Sequence, residues 1–310
     1  MDVIRHIISH PRRFTKPVLT LGNFDGVHRG HQAILARVVS EARRLGGEAV
    51  AITFAPHPLA VLHPERAPAV LTSLRDKLRL LGAAGIDVVI LQRFTHVFAR
   101  LSPEEFVKRY VIARLRAAKL VVGHSVSFGH ERRGDATLLE TLGSRFGFAV
   151  EVVGPVRVEA HGVSSSVVRR TIATGDIELA AMLLGRQHRV GGRVVAGKRR
   201  GIALGFPTAN IAIAEGAQYP PDGVYAVIAE TGGRRYRGVA NLGRNPTFGD
   251  NARTLEVHLF EFEGDLYGRR CGVSFVARLR GEIAFPSAEA LSAQIRRDAE
   301  QARALLGGLA

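Results

Sequence analysis

Two histidines directly after the first strand-like segment have the spacing of a phosphate-binding site. The apolar run 18–22 is followed by a glycine-rich turn, and His28 and His31 stand where a helix is predicted to begin. The first N–H groups of a helix have no partner within it and the dipole is positive there, which favours a phosphate. Residues three apart lie on one side of a helix, so both imidazoles can donate hydrogen bonds to charge developing on an α-phosphate and a departing pyrophosphate. Gly30, between them, has no side chain to block a phosphate oxygen. An isolated loop histidine would have no such role.

A basic, glycine-rich run at 192–199 is close to a phosphate-binding P-loop but lacks its metal ligand. A P-loop needs Ser or Thr after its lysine to hold magnesium, and Arg199 stands there. Glycines and a proline within 201–207 also follow too soon for the long helix of a P-loop, so we exclude one. A dinucleotide fingerprint is absent too, because no two glycines are separated by a single residue. The loop 197–201 retains the composition to close over phosphates.

Strand-like and helix-like segments alternate over residues 1–186, which we take as the first domain. Short apolar segments separated by helix-length stretches argue for a parallel sheet covered on both faces. Ser102–Glu105 predicts a helix start, with serine as the cap, proline at the first position and glutamate reaching back. The first domain is therefore predicted to be an α/β parallel-sheet, Rossmann-like domain. The predicted strands are 18–22, 49–54, 87–92, 119–123 and 148–154.

The pattern changes over residues 187–310, which we take as the second domain. Strand-like runs now follow one another with turn residues between them, which favours a small antiparallel β-barrel. A C-terminal amphipathic helix over 287–306 is predicted to turn Leu291, Ile295 and Leu305 toward the barrel. The predicted strands lie within 193–197, 203–213, 223–231, 234–243, 255–262 and 272–280.

The formal charge of +15 raises the question of nucleic-acid binding. The basic residues are nearly all arginine, are spread along the chain and lack the interleaved aromatic residues of a base-stacking surface. Such a charge also suits polyanionic small substrates, so we predict no nucleic-acid partner. The sequence has neither an apolar run of about 18 residues nor the features of a signal peptide, so we expect a cytoplasmic protein with no membrane partner. The single cysteine, Cys271, excludes an internal disulfide.

The segment Gly22–Gln32, GNFDGVHRGHQ, resembles the His-x-Gly-His site of the nucleotidylyltransferase superfamily. It is most similar to one branch, the bacterial bifunctional riboflavin kinase/FAD synthetase family. Segments 53–58 (TFAPHP) and 164–169 (SSSVVR) are similar to the same family. The resemblance implies that the first domain is an FMN adenylyltransferase with His28 and His31 as catalytic residues. The ATP contacts that we assign to this domain are Gly22, Asn23, Phe24, Gly30, Ser164, Ser165 and Arg169.

The second domain resembles riboflavin kinase, beginning with Gly205–Asn210, GFPTAN. The resemblance implies that Glu256 is the general base for the ribityl 5′-hydroxyl as it attacks the γ-phosphate. It also implies that Thr208 and Asn210 are neutral oxygen ligands of the Mg²⁺ that accompanies ATP. Segments 223–225, 241–248, 255–259 and 279–285 follow in the family's order. We assign ATP contacts to Gly197, Lys198, Gly201, Gly205 and Pro207, and flavin contacts to Asn241 and Arg280.

One segment of the first domain departs from the family pattern. The family usually has Gly-x-Asp-Phe-x-Phe-Gly after its fourth strand, and here Ser125 and Val126 replace the acid and the aromatic ring. The activity is either retained, or flavin or adenine binding in this domain is weakened, changed or lost.

The leading hypothesis is a bifunctional enzyme that makes FMN from riboflavin and ATP, and then FAD and pyrophosphate from FMN and a second ATP. Its expected ligands are ATP, riboflavin, FMN and FAD, with Mg²⁺ as cofactor. The alternative is a riboflavin kinase whose first domain is inactive or has altered specificity. Two further hypotheses are a basic nucleic-acid or regulatory binding protein, and a nucleotidylyltransferase for a non-flavin phosphate. The latter leaves the second set of motifs unexplained.

Overall fold

The apolar segments of the first domain form a parallel sheet, in a computed structural model that describes residues 1–5, 7–8, 10–197, 205–244 and 253–308. Its strands are β1 (Asp2–Arg5), β2 (Val18–Leu21), β3 (Ala49–Ala55), β4 (Val88–Arg93), β5 (Lys119–Gly123) and β6 (Ala149–Val153). Within the described residues the order is β1-β4-β3-β2-β5-β6 and all pairings are parallel. The predicted parallel sheet is confirmed, and β1 is an additional edge strand. Two short strands, β7 (Arg157–Val158) and β8 (His161–Gly162), form a separate antiparallel pair.

Helices cover both faces of the sheet. Successive strand residues point to opposite faces, so these apolar strands present apolar side chains on each face. These helices are α1 (Arg29–Leu45), α2 (Pro58–Leu62), α3 (Leu74–Ala83), α4 (His96–Ala99), α5 (Pro103–Phe106), which continues as a π-helix over Val107–Arg114, and α6 (Ala136–Phe146). One face packs against α1 and α3, for example Ala51 against Leu35 and Leu81. The other packs against α6 and the π-helix, for example Ile52 in one cluster with Leu139 and Val111.

The strands of the second domain form a closed antiparallel barrel, as predicted. They are β9 (His188–Val195), β10 (Ala209–Ile211), β11 (Gly223–Thr231), β12 (Arg234–Arg244), β13 (Arg253–Leu259) and β14 (Arg270–Arg280). The order is β10-β13-β12-β11-β14-β9, and pairing of β9 with β10 closes the barrel. Gly232 and Gly233 form the turn between β11 and β12 with positive φ angles of 57° and 79°, the conformation of a tight hairpin turn that favours glycine. Closure leaves no unpaired edge, so a small barrel can enclose its own core.

A long C-terminal helix, α9 (Ala288–Leu306), packs on the outside of the barrel and is capped by Ser287. Ala299, Ala302 and Leu306 join a buried cluster with apolar residues of β11 and β12. Leu305 is 47% exposed, so the prediction that it faces the barrel is wrong. Leu306, one position later, occupies the inward side. Leu291 and Ile295 are half-buried.

The chain divides into two compact units, each built from two separate stretches of sequence. The first unit consists of Met1–Pro68 and Leu74–Ser165, and the second of Ala69–Ser73 and Ser166–Ala310. Helices α7 (Ser165–Thr174) and α8 (Ile177–Leu184) connect the sheet to the barrel in sequence, and Ile177 lies in the barrel core cluster. The functional boundary between residues 186 and 187 stays a prediction. In the part of the chain that the structure describes, none of the helices has the length and apolar character needed to cross a membrane.

Candidate active sites

The loop after β2 brings the two predicted catalytic histidines together. His28 is the N-cap of α1, and its Nδ1 accepts a hydrogen bond from the backbone N–H of His31 at 3.3 Å. The two imidazole rings are stacked, with centroids 3.7 Å apart and planes 14° apart. The ring of Phe24 meets His31 edge-on at 5.2 Å. The predicted pairing of these histidines at a helix N-terminus is therefore what the geometry shows.

Burial keeps His31 neutral. Desolvation is the largest cause that lowers the pKa of His31 well below its ordinary value, and His28 and the Lys77 cation lower it further. Among the described residues, the buried Nδ1 atom of His31 has no hydrogen-bond partner. A neutral imidazole has one N–H donor, so His31 can donate one hydrogen bond to a phosphate oxygen.

Two glycines of the first motif lie where a side chain would be in tight contact with the site. A Cβ on Gly30 would lie 3.2 Å from the ring of His28 and 3.5 Å from the carbonyl oxygen of Val163. A Cβ on Gly22 would lie 3.3 Å from the ring of Phe24. The space beside the imidazoles is therefore kept open by the absence of side chains.

A cavity of about 520 Å³ lies beside these histidines in the first unit. That volume is within the usual range for small-molecule sites. Ser165 lines it and donates a hydrogen bond from its hydroxyl to the carbonyl oxygen of Asp25 at 2.9 Å, so the late serine motif contacts the first motif. Arg169 belongs to the second compact unit, where its Nε donates to the carbonyl oxygen of Ala69 at 2.7 Å. The predicted residues that line the cavity are Gly22, Asn23, Phe24, His28, Gly30, His31, Ser164 and Ser165.

The residues that depart from the family pattern line the same cavity. Ser125 and Val126 are both part of the wall, and Val126 also packs against a buried apolar cluster. Much of the remaining wall is aromatic: the rings of Phe54, Phe94 and Phe98 lie 5.6–5.8 Å apart. Flat apolar side chains suit a planar ring system, so the cavity keeps an aromatic wall although position 126 has none.

Two residues of this site were not predicted. Lys77 of α3 is buried, and its ammonium group contacts the ends of β2 and β3. His57 lies in a matched segment but had no assigned role; its Nε2 is 3.3 Å from Nδ2 of Asn23. The only sequence feature that points to Lys77 is its position four residues before Leu81, on the apolar side of the helix. A lysine in that position seldom indicates function by itself.

In the barrel, three predicted residues lie side by side on adjacent strands. Glu256 of β13 is directly opposite Asn210 of β10 and directly opposite Asn241 of β12. Side chains at directly opposed positions have Cβ atoms about 4.5–5.5 Å apart. Leu255 and Val257 belong to the barrel core, so alternation turns the row Asn210–Glu256–Asn241 to the other face.

The turn before β10 is held against this row. A Cβ on Gly197 would lie 2.0 Å from Nδ2 of Asn210, so the amide of Asn210 packs directly on that glycine. Gly205 has a φ of +80°, which favours glycine. Nδ1 of His258 lies 2.8 Å from the carbonyl oxygen of Pro207 and donates to it in the tautomer that carries hydrogen on Nδ1. His258, two residues from Glu256, was not predicted; alternation along β13 places it on the same face.

A second cavity, of about 190 Å³, is lined by Pro207 and Thr208 together with residues of β9, β13 and the segment after β13. Asn210 and Glu256 are not part of its lining. Of the two predicted metal ligands, Thr208 lines this cavity and Asn210 lies in the row on β10. Lys198 and Gly201 lie outside the described residues.

Arg280 is fixed by a buried carboxylate. Its Nη2 and Nε donate to Oδ2 of Asp298 at 2.8 and 3.0 Å, and Asp298 also accepts from Gln294 at 2.8 Å. Asp298 lies on α9 and is 3% exposed. The contact of Arg280 with a flavin stays a prediction. The position of its guanidinium is set by Asp298 of α9.

The described residues contain no group of three or more His, Cys, Asp or Glu side chains that could hold a metal ion. The hydroxyl of Thr208 and the amide of Asn210 are hard, neutral oxygen donors, which suit magnesium that brings phosphate and water ligands with it. The donor set therefore fits a metal delivered with a nucleotide better than a resident metal.

Comparison with known proteins finds two family models that match successive parts of the chain. The family model described as FAD synthetase matches residues 10–167, and the model described as riboflavin kinase matches residues 184–306. The bifunctional riboflavin kinase/FMN adenylyltransferase of Haemophilus influenzae is 38% identical over 305 residues, covering 98% of this chain and 99% of that protein. The protein of the same name from Pseudomonas fluorescens is 43% identical over 289 residues, covering 93% of this chain and 92% of its own length.

A solved structure also covers nearly the whole chain. The crystal structure described as a macrolide-efflux protein from Streptococcus pneumoniae has a TM-score of 0.87 and 31% identity, and the match covers 98% of this chain and 99% of that chain. The efflux activity in that description refers to that protein; what the two chains share is the fold.

Proposed function

Because the chain belongs to the bifunctional riboflavin kinase/FMN adenylyltransferase family, we propose that it converts riboflavin to FMN and FMN to FAD, with one ATP consumed in each reaction. The observation that supports this most directly is that both units assemble their own matched residues. His28 stacks on His31 beside the cavity of the first unit, and Glu256 lies between Asn210 and Asn241 in the second. We assign adenylyl transfer to residues 1–186 and phosphoryl transfer to residues 187–310.

In the first reaction, Glu256 accepts the proton of the ribityl 5′-hydroxyl as that oxygen attacks the γ-phosphorus of ATP. The bond from the γ-phosphorus to the bridging oxygen breaks, and ADP leaves. A positioned general base contributes roughly 10²–10⁴-fold to such a rate. Asn241 and Arg280 are the proposed flavin contacts, and Gly197, Gly205 and Pro207 are proposed to surround the ATP phosphates together with Lys198 and Gly201.

ATP-dependent enzymes of these two families generally use a divalent metal, and we propose Mg²⁺ held by Thr208 and Asn210 in the kinase. Bound there, it would neutralise charge on the phosphates. The protein's own contribution is to hold Thr208 just before β10 and Asn210 within it, and His258 contacts the preceding Pro207 carbonyl oxygen.

In the second reaction, an FMN phosphate oxygen attacks the α-phosphorus of ATP, and pyrophosphate leaves. His28 and His31 are proposed to donate hydrogen bonds to the α-phosphate and the pyrophosphate as negative charge develops there. The N-terminal N–H groups of α1 add further donors, and removal of one such donor typically costs about 10²–10³-fold in rate. Gly22, Asn23, Phe24, Gly30, Ser164 and Ser165 are the proposed surrounding contacts, and Arg169 is proposed as a triphosphate contact.

The match of the FAD synthetase model across residues 10–167 favours the bifunctional enzyme over a riboflavin kinase with an inactive first domain. The aromatic wall of the first cavity supports the same conclusion, since it offers flat apolar surface despite Ser125 and Val126. We also expect the protein to be cytoplasmic, where ATP is supplied, which fractionation of cells would test.

The test is product chromatography after pure protein is incubated with riboflavin, ATP and Mg²⁺. We expect FMN first and FAD afterwards, with one ADP per FMN and one pyrophosphate per FAD. A parallel reaction with supplied FMN isolates the second step. FMN formation without FAD in either reaction would leave only the kinase, and absence of any flavin product would refute the proposal.

A further inference from the structure

Lys77 is buried in the first unit, and its three N–H groups all donate to acceptors within the protein. It lies on α3, is 8% exposed, and buried lysine is rare unless it is paired. Its Nζ donates to the carbonyl oxygen of Asn23 at 3.1 Å, to the hydroxyl of Thr53 at 3.2 Å and to the carbonyl oxygen of Phe54 at 3.3 Å. The Thr53 hydroxyl gives its own hydrogen to the Asn23 carbonyl at 3.1 Å, so it accepts from Lys77. Three acceptors match the three N–H bonds of an ammonium ion.

The three acceptors argue that Lys77 is charged in the folded protein. A neutral amine has only two N–H bonds and would leave one acceptor without its donor. Burial lowers the pKa of Lys77, and the nearby carboxylate of Asp25 acts in the opposite direction. A cation is therefore held directly behind the loop that contains the catalytic histidines.

The contacts of Lys77 fix the start of that loop. Asn23 is the second residue after β2, and Phe54 is near the end of β3, so the ammonium ties together two neighbouring strand ends. Between Asn23 and His28 the chain has two non-glycine residues with positive φ, Phe24 at 49° and Val27 at 39°. Such conformations persist only where surrounding contacts determine them. The ring of Phe24 then contacts His31, which links the fixed backbone to the imidazole pair.

We infer that Lys77 is a positioning residue for adenylyl transfer, whose ammonium holds the loop after β2 so that His28 and His31 face the phosphates of ATP. The inference rests on the proposed function of the first unit. It assigns Lys77 no contact with substrate, because the protein already occupies its three N–H groups.

The test compares Lys77→Met with Lys108→Met, the same change at an exposed lysine whose partner is Glu104. FAD formation from supplied FMN is measured alongside FMN formation from riboflavin, which serves as an internal control. In Lys77→Met we expect kcat for FAD formation to fall about 10²-fold, the cost of misplacing reacting groups by an ångström, with KM for FMN changed less than about threefold. FMN formation and the behaviour of Lys108→Met should match the unsubstituted protein.

A second readout separates positioning from a merely structural role. NMR titration of histidine-labelled protein, with His31 assigned by its loss in His31→Gln, follows the charge of that imidazole. Because Lys77 is one cause of the low pKa of His31, the pKa should rise in Lys77→Met, yet stay below its ordinary value because burial, the larger cause, persists. His28 is the other group that acts on it, and the same cavity is lined by the further titratable or charged residues His57, His124, Glu131 and Arg132.

Lys77→Gln retains two N–H donors without the charge and is expected to fall between Lys77→Met and the unsubstituted protein. The inference is overturned if both Lys77 variants keep kcat within about twofold of Lys108→Met. It is equally overturned if both lose FAD formation only because the first unit unfolds, as seen by circular dichroism and loss of dispersed histidine signals. If the unsubstituted protein itself makes no FAD, the proposed function fails and not this inference alone.

Discussion

At the scale of single residues, Glu256 is the most direct test of the kinase. Glu256→Gln keeps the size of the side chain but removes the proton acceptor, so FMN formation should fall about 10²–10⁴-fold. FAD formation from supplied FMN should be unchanged, since it uses the other unit. Glu263→Gln, an exposed position after β13, is the matched control and should retain both activities. Equal loss of both reactions in Glu256→Gln would contradict separate sites.

His31 offers the corresponding test of the adenylyltransferase. His31→Ala removes a donor aimed at developing phosphate charge, so FAD formation should fall about 10²–10³-fold. FMN should then accumulate from riboflavin and can be quantified by chromatography. His161→Ala, at an exposed histidine of the same unit, controls for the loss of an imidazole. Undiminished FAD output would remove His31 from the site.

The candidate site residues that share a short motif could be proposed from the sequence, whereas contacts made across the fold could not. His28, Gly30 and His31 are near neighbours in sequence, and their chemistry follows from the start of one helix. Lys77 and His258 contact partners 54 and 51 residues away in sequence, Asn23 and Pro207. Nothing in a single sequence brings such pairs together, because only packing does.

At the scale of elements, α9 shows how one position decides burial. Leu306 is fully buried against the barrel, and Leu306→Ala should lower the free energy of unfolding by about 2–5 kcal/mol. Leu305→Ala, the neighbouring exposed leucine, should change it by less than about 0.5 kcal/mol. Urea titration of the full chain measures both, with the transition of the second unit assigned by loss of FMN formation. Equal costs for the two variants would contradict the orientation of α9.

The contact between Gly197, after β9, and Asn210 of β10 gives a prediction for the proposed ATP site of the barrel. Gly197→Ala places a methyl group where the amide of Asn210 lies, so that amide must move. We expect kcat/KM for ATP in FMN formation to fall about 10²-fold, in line with a displacement of an ångström. Gly308→Ala adds the same methyl group in open space and should have no effect. A Gly197→Ala enzyme with unchanged kinetics would show that Asn210 does not need its present position.

The periodicity of apolar residues predicted the central strands of each unit better than the elements at its edges. The run 119–123 was predicted with the bounds that β5 has, and the runs 223–231 and 234–243 agree with β11 and β12 to within one residue. The edge strand β1 was not predicted, because four residues with a single buried position carry too little pattern. Leu305 was predicted to face the barrel because Leu305 and Leu306 are adjacent at the end of the helix. The helical periodicity of apolar residues does not distinguish which of the two is buried.

At the scale of the whole molecule, two separate sites predict complementation in a mixture. Glu256→Gln protein can adenylylate FMN but not make it, and His31→Ala protein can make FMN but not adenylylate it efficiently. Mixed with riboflavin, ATP and Mg²⁺, the two should produce FAD, which neither produces in quantity alone. Absence of FAD from the mixture, with each half-reaction active, would mean that FMN does not exchange between molecules.

The segment Ala69–Ser73 belongs to the second unit but is synthesised long before the rest of that unit. The backbone N–H of Val70 donates to the carbonyl oxygen of Gly216 at 2.7 Å, and that of Gln218 donates to the carbonyl oxygen of Val70 at 2.9 Å. During translation this short stretch leaves the ribosome well over a hundred codons before its partners. A gene split between codons 186 and 187 would place them on different polypeptides, so the second product would have to recruit that stretch from its sister or fold without it.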